Sequence, residues 1–161
     1  MPWSLSQSRR LASESRNLER IFDHDKVKWI NPTGDTQVEV KVTCSNGKNY
    51  TIRVYLPSDF PNSCPEVVVI SPSSGLLARK DGSLMRMMNG FDHILPSKDG
   101  YTQICHFRPD LWRDNNTVRQ VIMKGLHWLE AYELYLFTGA SISLCLQACE
   151  SFFFDGVAME L

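Results

Sequence analysis

Residues 38–56 read Val38-Glu39-Val40-Lys41-Val42-Thr43-Cys44-Ser45-Asn46-Gly47-Lys48-Asn49-Tyr50-Thr51-Ile52-Arg53-Val54-Tyr55-Leu56. Val38, Val40 and Val42 alternate with Glu39, Lys41 and Thr43. That period of two marks a half-buried strand, because successive side chains leave an extended backbone on opposite faces. Tyr50, Ile52, Val54 and Leu56 resume the alternation. Between the two runs, Asn46-Gly47 is the strongest short-range hairpin signal, since both central positions of the favoured tight turn need positive φ. Cys44, beside the turn, reads as structural. After Pro57, the compact loop Ser58-Asp59-Phe60-Pro61-Asn62-Ser63-Cys64-Pro65 leads into Val67-Val68-Val69-Ile70. This short β-branched run is apolar on both faces and predicts a strand buried on both sides. With a strand over Lys26 to Ile30 placed before them, these runs predict a four-stranded antiparallel meander.

Helices flank this sheet. Ser4 to Phe22 reads as amphipathic, with Leu11, Leu18, Ile21 and Phe22 on one face. Arg9, Arg16 and Arg20 fall on the other, either as a solvated face with Glu14 and Glu19 nearby or as a docking face for an acidic partner. Further on, Asn116 or Thr117 can cap a long helix, and Thr117-Val118-Arg119-Gln120 fits the capping-box pattern. Apolar residues then recur at three and four from Val118 to Leu136, interrupted by Gly125 and Glu133. Gly125 costs about 1 kcal/mol against Ala in a helix interior unless close packing requires it. Thr138-Gly139 supplies a C-terminus, and Ala140 to Leu161 predicts one more helix, through Phe154. Its run Phe152-Phe153-Phe154 must be buried or else form an exposed apolar patch. The order helix, meander, long loop, helix, helix indicates an α+β class.

Composition narrows the function classes. The 161 residues suit one domain, with a core over about 4–139 and a helical tail over 140–161. Seventeen Lys and Arg against eighteen Asp and Glu leave a net charge of -1, so no broad field attracts nucleic acid or anionic lipid. No apolar run reaches the roughly 18 residues that a spanning helix needs, and Met1-Pro2-Trp3-Ser4 opens no signal peptide, so a cytoplasmic protein without membrane contact is expected. The five cysteines then read as thiols rather than disulfides. Cys145 and Cys149 share a helix face, but zinc requires four well-spaced ligands and no second pair accompanies them, so no metal is expected. Phosphate-binding glycine loops and dinucleotide fingerprints are absent.

Residues 71–115 carry no clear periodic element, and a structureless stretch of that length inside a domain is usually functional. Within it stands Asp99-Gly100-Tyr101-Thr102-Gln103-Ile104-Cys105-His106-Phe107, followed by Trp112 and the capped helix. Here the chain resembles the ubiquitin-conjugating enzyme superfamily. Phe60-Pro61-Asn62-Ser63-Cys64-Pro65 is similar to that family's proline loop, Ile104-Cys105 to its nucleophile segment, Trp112 to its tryptophan, and Thr117-Val118 to its helix start. The stretch Trp128 to Gly139 looks more like bacterial members, which are associated with ubiquitin-like conjugation and anti-phage defence. The resemblance covers roughly residues 4 to 139.

The resemblance implies a thioester carrier of ubiquitin-conjugating fold. Cys105 would accept the C-terminus of a ubiquitin-like protein from an activating enzyme and pass it to an amine, with or without a ligase and with no cofactor. A thiol suits this role because thiolate is a strong nucleophile and its ester stays reactive toward amines. Eukaryotic members carry His-Pro-Asn about ten residues before the cysteine, whereas this chain has Leu95-Pro96-Ser97. His93 is the nearest histidine and would hold the loop or donate to an oxyanion; it reads equally as a surface histidine. Asp110 and Asp114 are candidates to orient or deprotonate an incoming lysine, with Asn115 and Asn116 as amide donors. Pro61, Pro65 and Trp112 would shape the site, and Arg9, Arg16 and Arg20 would dock the activating enzyme. The rival readings are a non-catalytic adaptor of the same fold and a cysteine peptidase using Cys105 with His93 or His106 and an Asp.

Overall fold

The hairpin at residues 38–56 forms where the alternation places it. β2 (Gln37–Thr43) pairs antiparallel with β3 (Asn49–Tyr55), Val40 opposite Ile52 and Val38 opposite Val54. The turn itself differs from the two-residue type expected. Cys44 pairs with Lys48 through its amide (2.8 Å), Gly47 N–H donates to Cys44 O (2.9 Å), and Gly47 alone takes positive φ (+88°). This is the three-residue loop with a left-handed glycine, in which Asn46 keeps an ordinary conformation and uses its side chain to accept from Lys48 N.

The structure is a computed structural model describing residues 2–86 and 91–156, with side chains through Glu150. The Phe152-Phe153-Phe154 side chains therefore lie outside the described residues. Among those described, the fold is α+β with three helices and one antiparallel sheet in the order β1-β2-β3-β4-β6-β5. β1 is Val27–Ile30 and β4 is Glu66–Ser71, as the apolar runs predict.

The four-stranded expectation is corrected to six. β5 (Ile94–Lys98) and β6 (Tyr101–Ile104) form a second hairpin inside the stretch that shows no periodicity. Its turn is Asp99-Gly100, both at positive φ (+53° and +82°), the pair of conformations that Asp-Gly supports. Pro96 hides β5 in the sequence, yet an edge strand tolerates proline because one side of its ladder faces outward. The preceding loop is also organised: Leu77 and Met85 are buried, Met85 N–H donates to Leu77 O (2.8 Å), and Thr102 Oγ1 accepts from Leu77 N (2.9 Å).

Addition of β6 puts β4 inside the sheet and buries Val67, Val68 and Val69 completely. Val67 and Val69 join the core under the long helix. Val68, on the other face, sits between its register partners Arg53 and Gln103. Arg53 is paired with Glu39 (2.8 Å), and its guanidinium lies over the rings of Tyr55 and Tyr101.

α1 (Leu5–Glu19) and α2 (Val118–Thr138) both start with complete capping boxes, at Ser4/Gln7 and Thr117/Gln120. Thr117, not Asn116, is the α2 cap. Gly139, at φ +80°, ends α2 as expected. Gly125 answers to close packing, because a Cβ there would lie 3.0 Å from Ile52 Cδ1. α3 (Ile142–Gly156) packs along α2 with Ile142 and Cys145 buried. No helix among the described residues is long and apolar enough to cross a membrane.

Two readings of α1 change. Ile21 is exposed, lying beyond the helix end. Glu14, placed near a solvated face, is 2% exposed. Its carboxylate accepts from Arg10 Nε (2.8 Å) and from the Val118 amide at the start of α2 (3.1 Å). Arg10 in turn donates to the Asp114 and Asn116 carbonyls (2.6 Å each), so an ion pair with one buried partner satisfies groups at the start of α2.

Candidate active site

β6 ends at Ile104, and Cys105 follows, half-buried, at the mouth of a cleft of about 300 Å³. The cleft is walled by the segment before β5, by α2 and by α3. His93 comes from the first, Lys124, His127 and Trp128 from the second, and Ser143 and Glu150 from the third. His106 completes the rim beside Cys105.

His93 is fixed on every side. Its backbone takes φ +52°, uncommon for a residue with a Cβ, and its carbonyl accepts from Cys105 N (3.0 Å). Its Nε2 is 3.3 Å from Ser143 Oγ. Next to it, Asp92 carries a salt bridge from Arg79 (2.8 Å) while its carbonyl accepts from Trp128 Nε1 (2.9 Å). Phe91 O accepts from Ser143 N (3.0 Å). The unusual backbone is thus over-determined by the Arg79 loop, α2 and α3, a pattern found where strain serves a site.

The other imidazoles are also anchored. His106 Nδ1 lies 3.3 Å from Ile104 O and Nε2 lies 3.7 Å from Cys64 Sγ, turning the ring toward the proline loop. Burial brings its pKa down to about 4, so it is neutral at physiological pH. His127 Nε2 is 3.1 Å from Leu146 O, and burial also lowers its pKa. Lys124 Nζ stands 4.6 Å from the centroid of the Phe107 ring, with its pKa lowered by burial against the opposing pull of Glu150.

Burial raises the thiol pKa of Cys44 to about 12 and of Cys64 to about 11, and it also raises those of Cys145 and Cys149. Only Cys105 among the five opens into this cleft. A thiol in a cleft that also holds a lysine and imidazoles can attack a carbonyl, and such groups suit negative charge developing on its oxygen. Among the described residues, no group of three or more His, Cys, Asp or Glu could hold a metal ion.

The structure brings Cys105 and His93 together but leaves Asp110 and Asp114 outside the cleft lining. Asp110 is exposed and paired with Arg108 (2.9 Å), and Asp114 is exposed before α2. Asn116 accepts from Arg113 N (2.8 Å) and donates to Gln120 Oε1 (2.9 Å). Trp112 is buried, donates Nε1 to Pro61 O (2.8 Å) and meets Phe107 edge-on, which ties the proline loop to the segment after Cys105. Pro65 is buried behind it. Arg9, Arg16 and Arg20 are exposed, and Arg16 and Arg20 border a groove of about 450 Å³ with Arg10 and Asn115. Leu95-Pro96-Ser97 lie on edge strand β5, outside the cleft lining.

Sequence reasoning missed Lys124, His127, Ser143 and Glu150. Their signal is a polar residue every three or four positions beside the apolar stripes of two helices, which does not reveal what that edge faces. No protein-family model, no curated protein and no solved structure matches this chain.

Proposed function

We propose that the chain is a conjugating enzyme of ubiquitin-conjugating type, with Cys105 forming a thioester to the C-terminus of a ubiquitin-like protein. The observation that supports this best is the setting of Cys105: directly after a buried strand, with its backbone tied to His93 and its side chain at a cleft lined by Lys124 and three histidines. In this reading His93, locked by Ser143, positions the cleft wall opposite the thiol and supplies the polar group that Leu95-Pro96-Ser97 lacks. The thiolate attacks the incoming thioester carbonyl, the activating enzyme's thiolate leaves, and an acceptor amine later displaces Cys105. Trp112 and Pro61 hold the loop around the nucleophile. The exposed Arg9, Arg16 and Arg20 face docks an acidic surface of the activating enzyme. The protein works in the cytoplasm of a bacterium, within a conjugation system of the anti-phage kind.

The test is charging. Incubation with a cognate activating enzyme, ATP and its ubiquitin-like modifier should give an adduct that thiol reductant removes, and Cys105→Ser should give a reductant-resistant one. A folded protein that forms neither adduct, yet binds the modifier, is the non-catalytic adaptor instead.

A further inference from the structure

Resting on the carrier reading, we propose that Lys124 is an internal acceptor: the acyl group carried by Cys105 moves to the Lys124 amine and ends as an isopeptide bond within the chain.

Lys124 lies one turn and a half into α2 and lines the same cleft as Cys105. Its ammonium rests on the ring of Phe107, two residues beyond the nucleophile, at 4.6 Å from the centroid. A lysine on a helix surface ordinarily extends into water, where its charge is best solvated. Here the side chain is instead half-buried, with His106, His127 and Glu150 around it. A thioester formed on Cys105 places its carbonyl carbon in this cleft, so the amine becomes a neighbour of the electrophile rather than a diffusing reactant. Such proximity replaces a bimolecular encounter by an intramolecular one.

The chemistry favours the same direction. Burial lowers the pKa of Lys124, with Glu150 partly opposing it, which enlarges the fraction of neutral, nucleophilic amine. The Lys124 nitrogen lone pair adds to the thioester carbonyl carbon to give a tetrahedral intermediate. Its collapse keeps the new C–N bond, breaks the C–S bond and expels Cys105 as thiolate. The surplus proton on nitrogen passes to that thiolate or to solvent. Nothing is oxidised or reduced, and no co-reactant is needed beyond the thioester itself. An amide is far less reactive than a thioester toward amines, so the transfer is a terminating step that silences the carrier.

A pulse and chase with a small acyl donor tests this without the modifier. The full chain is loaded with the 2-mercaptoethanesulfonate thioester of acetyl-Gly-Gly, freed of excess donor by gel filtration, and followed by peptide mapping. The expected result is an acyl group on Cys105, removable by hydroxylamine, that declines as a hydroxylamine-resistant acyl group grows on Lys124. The rate should not depend on protein concentration. Lys124→Arg keeps the cation but offers no acceptor amine, so its Cys105 thioester should persist longer. A Cys105 thioester that decays only by hydrolysis, leaving Lys124 unmodified, overturns the internal acceptor while the carrier reading stands. Lys124 acylation that is equally fast in Cys105→Ala also overturns it, as direct acylation from the donor. Failure of Cys105 to acquire any acyl group overturns the carrier reading and this inference with it.

Discussion

The amide of Cys105 donates to the carbonyl of His93 at 3.0 Å, joining the residue after the last strand to a residue at φ +52°. The bond settles the backbone of the candidate nucleophile and leaves its side chain to face the cleft. Burial raises the pKa of the four other thiols, and none of them lines that cleft. At pH 8 a thiol near pKa 11, as for Cys64, is thiolate in only about one part in a thousand. Iodoacetamide at limiting concentration should therefore alkylate Cys105 at least about tenfold faster than Cys44 or Cys64. Mass mapping of a time course decides it, and uniform slow labelling would count against a reactive thiol.

Glu14 should behave as a core residue despite its charge. Glu14→Ala removes the carboxylate partner of the part-buried Arg10 and the acceptor for the Val118 amide. The expected loss is about 1–3 kcal/mol by urea unfolding, since the buried Val118 amide loses its acceptor and Arg10 loses its carboxylate partner. Glu19→Ala, at the exposed end of the same helix, should cost less than about 0.5 kcal/mol. Equal effects of the two changes would refute the buried network.

His106 should make stability depend on acid. Its folded pKa, about 4, lies below the unfolded value of about 6.5, so the unfolded chain binds more protons between the two. Stability is accordingly full above pH 6.5 and declines as pH falls toward 4, by up to about 3 kcal/mol. His106→Gln removes this contribution. Urea midpoints at pH 4.5 and 7.5 should differ less for the variant than for the wild type, and parallel changes would sink the assignment.

Gly125 and Ile52 should be energetically coupled. Gly125→Ala gains about 1 kcal/mol of helix propensity but places a Cβ 3.0 Å from Ile52 Cδ1. Ile52→Val deletes that methyl group. The alanine should therefore be more favourable in the valine background than in the wild type by about 0.5–1.5 kcal/mol. A double-mutant cycle measured by denaturant unfolding gives this number directly, and strict additivity would show that the contact is relaxed at no cost.

Legibility in the sequence followed the range of the forces involved. The 37–43 and 49–55 hairpin, both ends of α2 and the central strand 66–71 rest on local rules: period-two alternation, a Thr/Gln capping box, a left-handed glycine and a β-branched run. The 94–104 hairpin also had a local signal in Asp99-Gly100, but Pro96 and the polar Thr102 and Gln103 masked its alternation. Those polar residues are buried because they serve distant partners, Thr102 holding the Leu77 loop and Gln103 donating to Glu66.

The sequence alone determined which residues can form strands, caps and turns, and that Cys105 lies in the irregular stretch where chemistry is expected. Only the tertiary structure decided what surrounds that thiol. Residues 93, 105, 124, 127, 143 and 150 converge from four separate parts of the chain, and His93 is held by Ser143, fifty residues away. No local rule encodes such a meeting, because it depends on how α3 packs along α2 once the sheet has set the position of both. Glu14 shows the same division in one residue: its spacing suggests a solvated face, and the start of α2, more than a hundred residues later, makes it a buried cap.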